Sequence, residues 1–163
     1  MDGKLDIDSF EKAINGLNKN LNDVGLLFRA NMPLLATDAT QETKENCVDK
    51  MSDRISDLLD SFRESYSYYN GFYEKLKENV RNETIESPEE YEVFFSHANE
   101  TFPKYIDELG QSIDSLCDID VKTEKFNITM RELGSIIENF RFDFKRTLAI
   151  ADLYQIQKES KEN

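Results

Sequence analysis

Apolar residues recur at alternating steps of three and four along most of the chain, and that rhythm leaves few folds open. It is clearest between Val48 and Val80, where Val48, Met51, Ile55, Leu58, Phe62, Tyr66, Tyr69, Tyr73, Leu76 and Val80 keep it almost unbroken. Steps of three and four put side chains on one stripe of an α-helix, whereas a half-buried strand needs strict alternation. A helix of roughly 40 residues at 1.5 Å per residue is about 60 Å long. It is too long to be an accessory to a sheet, and no alternating strand pattern accompanies it.

The same rhythm occurs three more times. Phe10, Ile14, Leu17, Leu21, Val24 and Phe28 form a stripe that Asp8 and Glu11 can open as a capping box. Pro33 is expected to stop this helix at about residue 31, because the residue before proline is pushed away from helical geometry. Tyr91, Phe95, Ala98, Phe102, Ile106, Leu109, Ile113 and Leu116 form the third stripe, with Ser87 as N-cap, Pro88 in the first turn and Glu90 closing the box. Pro103 lies inside it and predicts a kink or a break. Phe126, Met130, Leu133, Ile137, Phe140, Phe144, Leu148 and Ala151 form the last. The expected helices are 8–31, 42–82, 88–116 and 122–158. Four amphipathic helices of unequal length joined by short connections predict an all-α, antiparallel up-down four-helix bundle, a single domain over residues 1–163.

Composition narrows the chemistry. The net charge of −13 argues against a surface that tracks phosphates, since nucleic-acid binding needs a concentrated basic face, and it disfavours direct docking on anionic membrane surfaces. No apolar run reaches the roughly 18 residues needed to span a bilayer, and the first residues lack a signal peptide's basic and apolar regions. The chain reads as soluble; its compartment stays open, with the cytoplasm the first choice. Asn82, Asn99 and Asn127 open glycosylation sequons that matter only in a secretory pathway, and chance explains them in a chain this rich in Asn, Ser and Thr.

Helical bundles with many carboxylates invite a di-metal reading. That site needs two Glu-x-x-His motifs, and His97 is the sole histidine, with Phe94 three residues before it. It reads as a residue at the edge of an apolar stripe. Cys47 and Cys117 stand far apart, outside any zinc-type spacing, and acidic neighbours of Cys117 would raise its thiol pKa. The acidic runs at the ends of the third helix lack the alternating ligands and turn glycine of a calcium loop, and Gly16, Gly25, Gly71, Gly110 and Gly134 are scattered singly rather than gathered in a phosphate loop. No catalytic residues, metal or cofactor are expected, and the chain reads as a non-enzyme.

Two features point outward. Opposite the main stripe of the last helix lies a second one, Phe142, Ala149, Leu153 and Ile156 with Ile150 beside them, on a side that a surface helix keeps polar. Either another chain covers it or this helix is the central element of an asymmetric bundle. The aromatic run Tyr66 to Tyr73 divides on a helical wheel into core residues Tyr66, Tyr69 and Tyr73 and a flank, Tyr68 and Phe72. That flank seals a groove against a neighbouring helix, with Tyr68 the one candidate for partner contact. The sequence thus favours a protein–protein interaction module, a homodimer or one subunit of an assembly, pairing through the C-terminal helix. The alternatives are an extracytoplasmic ligand-sensing bundle cut from a membrane receptor and an acidic decoy that fills a basic groove.

Overall fold

The computed structural model describes residues 3–162, and four helices account for most of them. They are α1 (Ile7–Leu35), α2 (Gln41–Arg81), α3 (Pro88–Cys117) and α4 (Glu124–Glu162). Among the described residues there is no strand.

Contacts between helices give the directions. Along α1 and α2, Phe10 meets Phe72, Asn20 bonds Ser61 and Asn31 meets Cys47, so the two run antiparallel. Along α2 and α4 the pairs are Asp53 with Lys125, Tyr69 with Phe144 and Glu83 with Lys161, a parallel alignment. Along α3 and α4, Phe95 meets Tyr154 and Ile106 accepts from Arg141, again antiparallel. Consecutive helices therefore alternate in direction. The backbones that lie side by side are α1 with α2, α2 with α4, and α3 with α4. α2 and α4 each have two close neighbours, and α1 and α3 each have one.

Local chemistry sets the boundaries, with several departures from expectation. Asp6, not Asp8, caps α1 by accepting from the Ser9 amide at 3.3 Å. α1 continues through Pro33 to Leu35. Near the end of a helix proline forfeits only one carbonyl partner, and the Ala36 amide closes the last turn on Met32 at 3.0 Å. Ser87 does occupy the N-cap of α3, but its side chain makes no capping bond; the Ser87 carbonyl receives the Glu90 amide instead. α3 is unbroken from Pro88 to Cys117 with Pro103 inside it. Thr123 closes the first turn of α4 by accepting from the Phe126 amide at 3.2 Å, so the helix starts two residues later than the sequence suggested. It then runs to Glu162.

The core is aromatic at its centre. Phe10 of α1 lies 5.1 Å from both Phe72 and Phe94, and Phe144 of α4 lies 5.0 Å from Phe102 and 4.9 Å from Tyr69. Tilted and edge-on rings at these separations add to plain burial. Towards the start of α1 the chain is stitched shut: the Gly3 carbonyl accepts from the Tyr91 hydroxyl at 2.6 Å and from the Glu86 amide at 3.0 Å, and Asn79 donates to the same hydroxyl at 3.0 Å. A Cβ on Gly3 would stand 1.6 Å from the Thr84 carbonyl oxygen, so only glycine fits.

Candidate interaction faces

α4 positions the residues of interest because it is flanked by both α2 and α3. A helix with two neighbours buries a wider arc than one with a single neighbour, and α4 accordingly buries a second row, Ile136, Asp143, Thr147 and Ile150, beside its main stripe. Ile150 was expected at an interface; it is a core residue, closed off by this wider arc. Phe72 is likewise fully buried, packed on Phe10 and Phe94. α2 also has two flanking helices, so its buried arc takes in a position that a one-stripe wheel leaves on the flank. Leu59, rather than Leu58, completes the buried row of α2 for the same reason.

Beyond that arc lies a ridge the bundle leaves uncovered. Phe142 is 61% exposed and Ile156 60% exposed, with exposed Ala149 midway between them and Leu153 half-buried at the edge. Seven-residue spacing keeps Phe142, Ala149 and Ile156 in one line along nearly four turns. Lys145 and Asp152 stand about 60° round from that line, both on the same side. Both are exposed, and neither has an ion-pair partner among the described residues. Tyr68 is half-buried under Lys12, whose ammonium lies 5.4 Å from the ring centre. It seals the seam between α1 and α2.

A polar network under this ridge holds α4 in rotation. Asp143, its side chain 1% exposed, meets the Arg146 guanidinium at 3.0 Å. Arg146 in turn lies over the Tyr73 ring at 4.2 Å and beside Phe142 at 5.5 Å, and reaches Glu74 at 3.7 Å. Thr147 donates to the Asp143 carbonyl at 2.8 Å, which makes the Tyr69 hydroxyl the donor in its 2.8 Å bond to Thr147. Burial pushes the Tyr66 phenol up to about 12, with the adjacent Asp143 carboxylate adding to the effect. Burial chiefly, with the Asp143 carboxylate adding to it, drives Tyr69 well above the ordinary tyrosine value. The second oxygen of Asp143 has no hydrogen-bond partner. A buried carboxyl group with one open oxygen costs stability, and the contacts of Arg146 with Tyr73 and Glu74 and of Tyr69 with Thr147 set the register of α2 against α4.

His97 is exposed, Cys47 is buried with its thiol on Asn31 at 3.3 Å, and Cys117 is exposed; both cysteines are free. Among the described residues no three His, Cys, Asp or Glu side chains gather as a metal site, and no helix is long and apolar enough to cross a membrane. A recess lies between α1 and α3, whose backbones do not lie side by side. It has a volume of about 620 Å³ and an apolar floor that includes Leu21, Val24, Phe28, Leu116 and Ile119. The sequence reading did not find it, because each wall belongs to a helix whose stripe looked complete.

A scan against protein-family models and searches of the curated proteins and of the solved structures find no match to this chain.

Proposed function

We propose that the protein is a non-enzymatic helical interaction module that pairs with a second copy of itself through the outer ridge of α4. The observation that carries this reading is the line Phe142, Ala149, Ile156, apolar and uncovered, with the two unpaired charges Lys145 and Asp152 beside it. In an antiparallel pair centred on Ala149, Phe142 of one copy faces Ile156 of the other. The small residue sits at the crossing, where the helices come closest. Lys145 then comes level with residues 152 and 153 of the second copy, on the same flank, so two Lys145–Asp152 pairs form by symmetry. A two-fold interface has to be self-complementary in this way.

Magnitudes favour a weak dimer. Fully burying a Phe or Ile is worth about 1.5–3 kcal/mol, and the four large side chains of such a pair bring a little over half of that each. Association itself costs at least about 4 kcal/mol. Net of that cost the four side chains supply at most about 3 kcal/mol, and about 1–2 kcal/mol more from the flanking contacts gives a Kd on the order of 0.1–1 mM. Sedimentation equilibrium of the wild type and of Phe142→Glu is the test. The wild type should shift from monomer to dimer across that range and the variant should stay monomeric. A wild type that stays monomeric at 1 mM, or a dimer that Phe142→Glu leaves intact, contradicts the proposal.

A further inference from the structure

The acidity of the chain is not spread evenly. Residues 83–122 hold 11 of its 33 acidic residues and only Lys104 and Lys122 of its 20 basic ones, so this quarter of the chain carries a net −9 out of −13. α3 is the centre of that segment. Of its acids only Glu92 has an ion-pair partner among the described residues, Lys158 at 2.8 Å; Glu89, Glu90, Glu100, Asp107, Glu108 and Asp114 have none. The recess between α1 and α3 opens directly beside this charge.

The recess has the form of a groove for a helix. On α1 it is lined at positions 21, 24, 25, 28, 29 and 32, and on α3 at 108, 111, 112, 115 and 116, so each helix offers a three-four stripe to the same space. From Leu21 to Met32 the wall is about 16 Å long, three helical turns. Gly25 lies in the wall, and a Cβ built on it meets nothing within 4 Å, so the backbone of α1 is open to an incoming element there. Met32 at its lip is 41% exposed. Glu108 and Asp118 stand on the α3 side, and Asp107 and Asp114 lie about 100° further round α3, on its outer flank. The α1 side contributes one base, Arg29.

We infer that this groove binds a basic amphipathic helix of about three turns supplied by a different protein, its apolar stripe on Leu21, Val24 and Phe28 and its Lys or Arg residues on the α3 rim. Helix-in-groove recognition sets apolar anchors at three-four spacing, and complementary charge adds selectivity and encounter rate. A second copy of this chain is a poor occupant, because no described helix combines an exposed apolar stripe with net positive charge; α4, which carries the exposed ridge, has equal numbers of acidic and basic residues. This surface lies on the α1–α3 side, and its variants leave the α4 ridge intact, so the two proposals stand or fall separately.

The probe is a fluorescein-labelled 14-residue peptide of Leu and Lys patterned as an amphipathic helix, with a Leu–Glu counterpart, followed by anisotropy against the full chain. The Leu–Lys peptide should bind with a Kd on the order of 1–10 μM at low salt and weaken as salt screens the rim. Gly25→Leu fills open space without disturbing packing and should weaken binding at least tenfold. Ser115→Trp should do the same from the opposite wall, and Glu108→Lys with Asp118→Lys should weaken it to a similar degree. Circular dichroism checks that each variant is folded. Undiminished binding to both Gly25→Leu and Ser115→Trp would place the peptide on the acidic surface outside the groove and overturn the inference. So would equal affinity for the Leu–Glu peptide, absence of binding to the wild type, or loss of self-association in Gly25→Leu, which would make a second copy the occupant.

Discussion

The two ends of the bundle are built on opposite terms. At the end where α1 begins and α2 finishes, aromatic rings interlock, Gly3 tucks against the α2–α3 connection, and Tyr91 is fully buried with its hydroxyl shared between Gly3 and Asn79. At the end where α1 finishes and α2 begins, α1 and α3 stand apart, Phe28 lines a recess of about 620 Å³, and Ile119 from the α3–α4 connection closes its base. The amount of apolar sequence does not separate them. What separates them is that the closed end has third and fourth partners for α1 in Phe94 and Phe102, whereas the stretch of α3 facing the second half of α1 offers Glu108, Gln111, Ser112 and Ser115. Polar side chains at those positions prefer water to Leu21 and Val24, and the helices part.

Core truncation should divide the two ends most sharply. Phe102→Ala removes a fully buried ring that meets Phe10, Phe94 and Phe144, and should cost about 3–5 kcal/mol. Phe28→Ala should cost at least about 1 kcal/mol less, because its ring already borders open space and water fills the difference. Urea denaturation of both variants measures the contrast, and equal losses would mean that the open end is as tightly packed as the closed one.

Two glycines make the same comparison at the backbone. Gly3→Ala drives a methyl into the Thr84 carbonyl and should destabilise by about 2 kcal/mol, with loss of amide-exchange protection at Glu86. Gly25→Ala meets nothing and should stabilise by up to about 1 kcal/mol, the ordinary helix gain over glycine. If both changes were neutral, the distinction between a stitched end and an open one would fail.

Alkaline pH probes the network beneath the α4 ridge. Tyr66 and Tyr69 have folded-state pKa values raised above their unfolded ones, chiefly by burial. An acid so shifted contributes stability that is complete below the unfolded pKa of about 10 and is lost as pH rises through the folded value. Stability should therefore hold to about pH 10 and fall steeply between there and about 12, the value to which Tyr66 is raised. Tyrosinate absorbance should show at least two of the seven tyrosines, Tyr66 and Tyr69 among them, ionising only with unfolding. Ionisation of all seven at ordinary pH values in the folded protein would show that this layer is open to water.

The smallest effect belongs to the turn after α2. Glu83 has a left-handed backbone, φ 55°, inside a hydrogen-bonded end in which the Thr84 amide reaches the Asn79 carbonyl at 2.9 Å. Glycine is favoured there, so Glu83→Gly should stabilise by about 0.5–1 kcal/mol, less a small loss from the exposed Glu83–Lys161 pair. Thermal melts detect a change of that size.

The four-helix architecture was legible because periodicity alone encodes it. The stripe of α1 and most of that of α3 were read residue by residue. What a wheel does not encode is how many neighbours a helix has. Ile150 was set at an interface and Phe72 on a flank rather than in the core for that single reason, since α4 and α2 each bury an arc wide enough to enclose them. Gly3 escaped notice because its role depends on Thr84 and Tyr91, more than 80 residues away in sequence. The α1–α3 groove was illegible for a related reason: it exists where two stripes fail to meet. Phe142 and Ile156, by contrast, lie on the surface where the second stripe put them.

Cysteine cross-linking tests the proposed antiparallel pairing of α4 with a second copy most directly. In a Cys117→Ser background, with Cys47 buried, Ala149→Cys should oxidise to a covalent dimer, because the two-fold axis brings residue 149 against its own copy within disulfide reach. Ile156→Cys should form no homodimer alone, yet should cross-link when mixed with Phe142→Cys. Efficient self-cross-linking at 156 would indicate a parallel pair. Failure at all three positions would mean that α4 does not pair with itself.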